Sequence, residues 1–264
     1  MTDRRLALLG CGRMGSAMLA GWLERGMEPG LVTVTDPAPS DWLRGSGVHL
    51  GEPPAAADVL LLAVKPQMMD EALDSVRHLG SGGTLVISVA AGWPIRRFEA
   101  ALGEATPVVR AMPNTPAAIG RGITAIVGNE AAGEAGLDAA EELLSAVGEV
   151  VRLPDEGLMD AVTGVSGSGP AYVFYLVETL AAAGEAEGLP TDLALRLARA
   201  TVAGAGALAM EAGEEPAQLR RNVTSPRGTT EAALEVLMDP ERGFPKLVPE
   251  AVAAAVRRSR ELGS

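Results

Sequence analysis

Residues 4–22, Arg4 to Trp22, read RRLALLGCGRMGSAMLAGW, and this stretch decides the fold. A short apolar run, Leu6 to Leu9, ends in Gly10-Cys11-Gly12-Arg13-Met14-Gly15, and an apolar segment of helical character follows at once. Strand, glycine turn and helix in that order point to a dinucleotide-binding arrangement, against the alternative of a purely structural glycine turn. The first glycine permits the tight turn, the second lets a pyrophosphate approach the backbone, and the third allows close helix–strand packing. The amides opening the helix then face the phosphates, aided by the helix dipole.

A second strand is expected at Leu31–Thr35, closing on Asp36-Pro37. Asp36 stands about twenty residues past the last glycine, where an acid in this fold binds the adenosine ribose. A turn aspartate before proline fits the same position. As a ribose ligand, the acid favours NAD over NADP, with Arg13 and Arg44 the nearby cations able to reverse that preference. Further strands are expected at 58–64, 84–89, 107–110, 123–127 and 149–152, alternating with helices near 67–79, 94–102 and 131–147. The alternation predicts a parallel, doubly wound sheet. Ligands in such sheets bind beyond the carboxyl ends of the strands, where Lys65, Ala90 and Asn114 fall.

Past Leu153 the strand signals stop, and helices are expected at 155–163, 169–187, 191–212, 215–222, 228–238 and 246–261. The expected division is therefore 1–153 for dinucleotide binding and 154–264 for an all-helical domain. Within 191–212, Gly204 and Gly206 each cost about 1 kcal/mol relative to alanine, which close helix approach would offset. The helical half is thin for a domain with its own core, and dimerisation by interlocked helices would supply what is missing.

Bulk properties narrow the function. The 264 residues are 47% hydrophobic but only 3% aromatic, so the core should be built of small aliphatic side chains. A net charge of -12 argues against nucleic acid or an anionic membrane surface as partner and suits a cytoplasmic protein. No segment suggests a transmembrane span. Cys11 is the single cysteine, placed as a space-filler in the glycine turn. His49 and His78 belong to no motif, and no pattern of metal ligands or nucleophile elbow is present.

Two stretches of the helical half carry more polarity than packing needs. Residues 163–172, TGVSGSGPAY, read as a glycine–serine loop opening a helix, with Ser168 suited to cap it and Pro170 to its first turn. Tight packing and ligand binding both suit this loop. Residues 222–231, NVTSPRGTTE, gather four hydroxyls and several amides with no carboxylate before Glu231, a nest for a small carboxylate. A helix cap alone needs one hydroxyl. With no metal or covalent machinery, hydride transfer from a nicotinamide to an already electrophilic carbon, such as an imine, asks only for positioning and a mild proton donor.

Together GCGRMG, AVKPQ (63–67), RAMPNTP (110–116), TGVSGSGPAY and NVTSPRGTTEAAL resemble the Δ1-pyrroline-5-carboxylate reductase family along the whole chain. The resemblance implies an N-terminal Rossmann-type doubly wound sheet followed by an all-helical dimerisation domain, assembled as homodimers or as decamers of dimers. It implies NADP(H)- or NAD(H)-dependent reduction of the imine of 1-pyrroline-5-carboxylate to L-proline, with the dinucleotide preference open. Thr230 would hydrogen-bond the ring nitrogen, and Ser225, Gly228 and Thr229 would line the carboxylate nest. Gly10, Gly12, Arg13, Met14, Gly15, Asp36, Ala63, Val64, Lys65, Pro66, Ala90 and Asn114 would hold the dinucleotide. One departure is Arg227, where the family usually has glycine; an arginine fits there if its φ is negative, or adds charge attraction for the carboxylate. A β-hydroxyacid dehydrogenase shares the opening motif, but a lysine is expected on the helix after Gly169 and none is present. A non-catalytic nucleotide- or imine-binding regulator is the alternative of another class.

Overall fold

The computed structural model describes residues 4–263. Eight strands form one sheet in the order β3-β2-β1-β4-β5-β6-β7-β8. They are β1 (Leu6–Leu9), β2 (Val32–Thr35), β3 (His49–Leu50), β4 (Val59–Leu62), β5 (Leu85–Ser88), β6 (Val108–Met112), β7 (Gly122–Gly128) and β8 (Gly148–Arg152). Around it lie α1 (Arg13–Glu24), α2 (Asp41–Gly45), α3 (Met69–Val76), α4 (Ile95–Leu102) and α5 (Gly133–Leu144). The first six strands are parallel, and strand order reverses between β1 and β4, both bonded along Leu6–Leu9. A crevice at such a reversal is where doubly wound sheets bind ligands.

All four residues of β1, β4 and β5 are buried, as expected of strands covered on both faces. Their side chains alternate between two cores. Leu6 and Leu8 point with Met18, Leu19 and Trp22 toward Leu143, Leu144 and Val147, while Ala7 and Leu9 join Leu60, Leu62, Met69, Leu73 and Phe98 on the other face. The buried Trp22 indole N–H is satisfied, donating to the Leu143 carbonyl at 2.9 Å.

The sheet is not wholly parallel, which corrects the expectation from the sequence. β7 runs antiparallel to β6, and β8 runs parallel to β7. Only residues 113–121 separate β6 from β7, taken up by a 3-10 turn over Thr115–Ile119 and left-handed Gly120. A parallel crossover needs about a dozen residues or more, so the chain must return antiparallel.

By contacts the chain divides into two compact units, one of residues up to Gly167 together with those from Ala255 onward, the other Ser168–Ala254. In the first, α6 (Met159–Val162) runs on through a π-helical turn at Thr163–Gly167. The stretch expected as a glycine–serine loop is thus helical. Ser168 precedes the next helix without any side-chain capping bond, and Pro170 does stand in its first turn. Two ties hold the first unit's later segments. The Arg110 guanidinium, 6% exposed, pairs with Glu156 at 2.7 Å, and the same carboxylate oxygen accepts from the Ile95 N–H opening α4 at 2.9 Å. The Ser259 hydroxyl donates to Asp160 at 2.6 Å.

The second unit is built of α7 (Gly169–Ala186), α8 (Thr191–Glu211), α9 (Pro216–Asn222), α10 (Thr229–Leu237) and the start of α11 (Phe244–Gly263). α7 and α8 pack on one another, with Gly184 close enough that a Cβ there would stand 3.4 Å from that of Ala194. Yet α7 buries only Ala181, and α8 only Ala194 and Ala198, while Phe174 and Tyr175 are each 64% exposed and Met210 77%. The close helix approach expected at Gly204 and Gly206 is not made within one chain, since no described atom lies within 4 Å of a Cβ at either. α8 is also long and apolar enough to cross a membrane by length and composition, against the expectation that no segment would be.

Candidate functional site

The glycine turn joins β1 to α1 at the strand-order reversal. Gly10 has φ +84, a left-handed conformation that suits glycine, and its N–H donates to the Thr35 carbonyl at 2.9 Å. A Cβ at Gly15 would lie 2.3 Å from the Gly10 carbonyl oxygen, so helix and turn touch through bare backbone. A Cβ at Gly12 would meet nothing within 4 Å. Gly12 precedes α1 with no side-chain capping bond, and the first turn carries no acid. The start of α1 is therefore open in front of Gly12 and carries no acid of its own first turn, which suits a pyrophosphate. Arg13 is exposed and Met14 half-buried beside them.

Asp36, at the carboxyl end of β2, does what a turn aspartate does and more. One carboxylate oxygen accepts from the Cys11 N–H at 2.6 Å, the other from the Ala38 N–H at 2.8 Å. It thus pins the glycine turn to the neighbouring strand end. A carboxylate offers about four lone-pair directions, so two remain for a ribose diol. Burial, and then the Asp36 charge, push the Cys11 thiol up to about 11. It is held neutral in the turn.

Gly10, Asp36 and Val64 line one cavity of about 420 Å³ at this edge, with Glu52, Met68 and Glu71. The other expected dinucleotide residues follow the same carboxyl edge outside that cavity. Ala63, Lys65 and Pro66 continue from β4; the Lys65 carbonyl accepts from the Met68 N–H, and that of Pro66 from the Trp93 indole. Ala90 follows β5, its N–H donating to the Ser88 hydroxyl at 3.3 Å. Asn114 follows β6 with its amide oriented on both sides: its oxygen accepts from the Ile123 N–H at 3.0 Å, and its Nδ2 donates to the Ser166 hydroxyl at 3.4 Å. Sequence reasoning missed Glu52, Met68 and Glu71. Glu52 follows the two-residue β3, which has no signal of its own, and Glu71 reads as an ordinary first-turn acid of α3.

In the second unit, the loop 223–228 leads from α9 into α10. Gly228 precedes the helix with no side-chain capping bond, leaving the amides of its first turn, which holds Thr229 and Thr230, uncapped. The Thr224 hydroxyl donates back to the Arg220 carbonyl and is spent. Those of Ser225, Thr229 and Thr230 make no hydrogen bond among the described residues. A Cβ at Gly228 would stand 2.9 Å from the Ser225 carbonyl oxygen, so that turn is close in backbone and favours glycine. Arg227 has φ +59, so the condition of a negative φ is not met and the residue sits in the left-handed region. Its N–H donates to Glu231 at 2.6 Å, and this bond, formed from the first turn of α10, holds the left-handed residue in place. The start of α10 thus brings three hydroxyls without a protein partner among the described residues, those of Ser225, Thr229 and Thr230, near uncapped amides, with one carboxylate, Glu231, in the same first turn.

Two family models match the chain: pyrroline-5-carboxylate reductase dimerisation over residues 156–262, and NADP oxidoreductase coenzyme F420-dependent over 5–92. The pyrroline-5-carboxylate reductase of Pseudomonas aeruginosa is 40% identical, over 99% of this chain and 98% of its own length. That of Synechocystis sp. is 44% identical over 98% of both. Among solved structures, a pyrroline-5-carboxylate reductase from Coxiella burnetii superposes with a TM-score of 0.92 at 34% identity, covering all of both chains. The pyrroline carboxylate reductase of Plasmodium falciparum, solved with NADP bound, gives 0.87 at 27% identity, again over all of both chains. The glycine turn, the strand-end edge and the hydroxyl-lined helix start are thus found in a chain that belongs to the pyrroline-5-carboxylate reductase family.

Proposed function

We propose that this chain reduces the C=N bond of 1-pyrroline-5-carboxylate to give L-proline, at the expense of NADH or NADPH. The observation that carries the reading is the presence in one chain of two uncapped helix starts of different build. One opens bare over Gly12, as a pyrophosphate requires, and the other is lined by free hydroxyls, as a small carboxylate requires. The reduced dinucleotide supplies the hydride that the imine carbon accepts.

The chain's own residues bind and orient. The first-turn amides around Gly12, Arg13 and Met14 hold the pyrophosphate, Gly10 and Gly15 keep the turn close, and Asp36 meets the adenosine ribose. Ala63, Val64, Lys65, Pro66, Ala90 and Asn114 shape the edge along which the nicotinamide and its ribose lie. Ser225, Gly228 and Thr229 seat the substrate carboxylate. Thr230 is the catalytic residue. Its hydroxyl donates to the ring nitrogen, which takes up one proton as the imine carbon takes the hydride, and a donor already in place there lowers the barrier.

The assignment includes a division of labour, 1–153 for the dinucleotide and 154–264 for substrate and dimerisation. It also includes a homodimer formed through the helical domain, the unit from which a decamer would be built, working in the cytoplasm. The decisive experiment follows nicotinamide absorbance with pyrroline-5-carboxylate, NADPH and NADH in parallel. Turnover with either dinucleotide is expected. Folded protein that binds a dinucleotide yet turns over neither would overturn the reductase and leave a binding regulator.

A further inference from the structure

The cavity beside the glycine turn has a composition that no dinucleotide motif dictates. Its charged lining residues are Asp36, Glu52 and Glu71, and among the described residues no arginine, lysine or histidine joins them. Arg13, Arg44 and Lys65, the cations nearest in sequence, do not line it. Neither Glu52 nor Glu71 forms an ion pair among the described residues, whereas the neighbouring Asp70 pairs with Arg97 at 3.7 Å. The Asp36 carboxylate cannot swing away, because the Cys11 and Ala38 amides hold both of its oxygens.

We infer that this chain selects NADH over NADPH, because the cavity that receives the adenosine end carries three carboxylates and no cation. The inference rests on the proposed dinucleotide site at Gly10–Gly15. A ribose 2′-hydroxyl donates a hydrogen bond to Asp36. A 2′-phosphate is an acceptor bearing about two negative charges, so it loses that bond and meets a fixed like charge, with two more carboxylates around it. The choice runs against the dinucleotide named for the family model matched to 5–92 and the one bound in the Plasmodium falciparum structure.

The test is equilibrium binding, so it does not depend on turnover. NADH and NADPH are titrated by fluorescence, and 5′-AMP and 2′,5′-ADP serve as competitors that lack the nicotinamide. The unmodified chain should bind NADH at least about tenfold more tightly than NADPH, as like-charge juxtaposition demands. The gap should narrow as ionic strength rises and the charges are screened. Asp36→Ser should close most of it by strengthening NADPH binding. Glu71→Gln, which leaves the glycine turn alone, should close part of it, so the idea stays testable if Asp36→Ser loosens the turn. NADPH binding as tight as NADH, or a gap that neither substitution nor salt alters, would overturn the selection while leaving the reductase untouched. Folded protein that binds neither dinucleotide would overturn the site and the selection with it.

Discussion

The two glycines that follow Gly10 in the turn should fail in opposite ways when each is given one methyl group. In Gly15→Ala the new Cβ lies 2.3 Å from the Gly10 carbonyl oxygen and 3.4 Å from Ala63 Cβ. That is more than about one ångström inside ordinary contact with a backbone atom. The carbonyl cannot yield cheaply, since the Gly10 N–H is tied to Thr35 and the next N–H to Asp36. Overpacking of this kind costs about 1–3 kcal/mol, and contact with backbone puts it at the upper end. Replacing a helical glycine returns about 1 kcal/mol. The net of about 2 kcal/mol lowers Tm by about 4–8 °C in a chain of this size. Gly12→Ala meets nothing within 4 Å at an ordinary negative φ, so its Tm should stay within about 2 °C. Its methyl group instead fills the space in front of the helix amides, and dinucleotide affinity should fall at least about tenfold. Calorimetry at one fixed protein concentration and a fluorescence titration read the two effects separately. A Gly15→Ala protein as stable as the parent, or a Gly12→Ala protein with parental affinity, would refute the reasoning.

Four other expectations follow from particular contacts. Thr230→Val should cut kcat by about a hundredfold, the lower end for losing a positioned proton donor, with dinucleotide Kd unchanged; unaltered turnover removes Thr230 from the mechanism. Glu156→Ala strands the buried Arg110 and uncaps α4, costing about 3 kcal/mol by denaturant titration, while Glu156→Gln, still able to accept from Ile95, should cost clearly less. Cys11, with its thiol raised from 9.0 to about 11, should react with iodoacetamide at pH 8 about a hundredfold more slowly than a free thiol. Because its folded value lies above the unfolded one, the matching stability is intact below pH 9 and is lost as pH climbs toward about 11; a flat stability profile there would count against it. Arg227→Gly relieves a left-handed side chain worth about 1 kcal/mol but loosens the unfolded chain by a similar amount, so Tm should barely move. Its KM for the carboxylate substrate should rise at low salt if the guanidinium draws the anion in.

The parts of this fold that were legible in the sequence are those with a local cause. Buried strands announce themselves as apolar runs, and the expected 6–9 matches β1 residue for residue. Gly188-Leu189-Pro190 marks the break between α7 and α8, expected at 187 and 191 and found at 186 and 191. What was illegible depends on pairing across the chain. The reversal of β7 follows from the length of the 113–121 link. Apolar composition is the same in either strand direction, so it could not show this. The π-helical turn at 163–167 differs from a regular helix only by the phase of its hydrogen bonds, and its glycines and serines read as loop. Asp36 could be placed near the turn but not assigned its partners, and the structure gives it two backbone amides. The positive φ of Arg227 depends on a bond from Glu231, four residues on, which composition does not record.

The second unit poses the remaining physical problem, since helices with this little buried surface must place their apolar faces somewhere. Leaving them in water forfeits about 25 cal/mol for each Å² of apolar surface, too much over Phe174, Tyr175, Leu197, Leu208 and Met210 together. A bilayer would accept those side chains, and α8 has the length for it. However, Arg196 and Arg199 sit within that helix, and each costs about 2.5–3.5 kcal/mol at a membrane centre. A second copy answers both objections: it can cover apolar surface and leave arginines at a wet rim. The open space over Gly204 and Gly206 then has a purpose, because a helix face without side chains lets another helix approach closely.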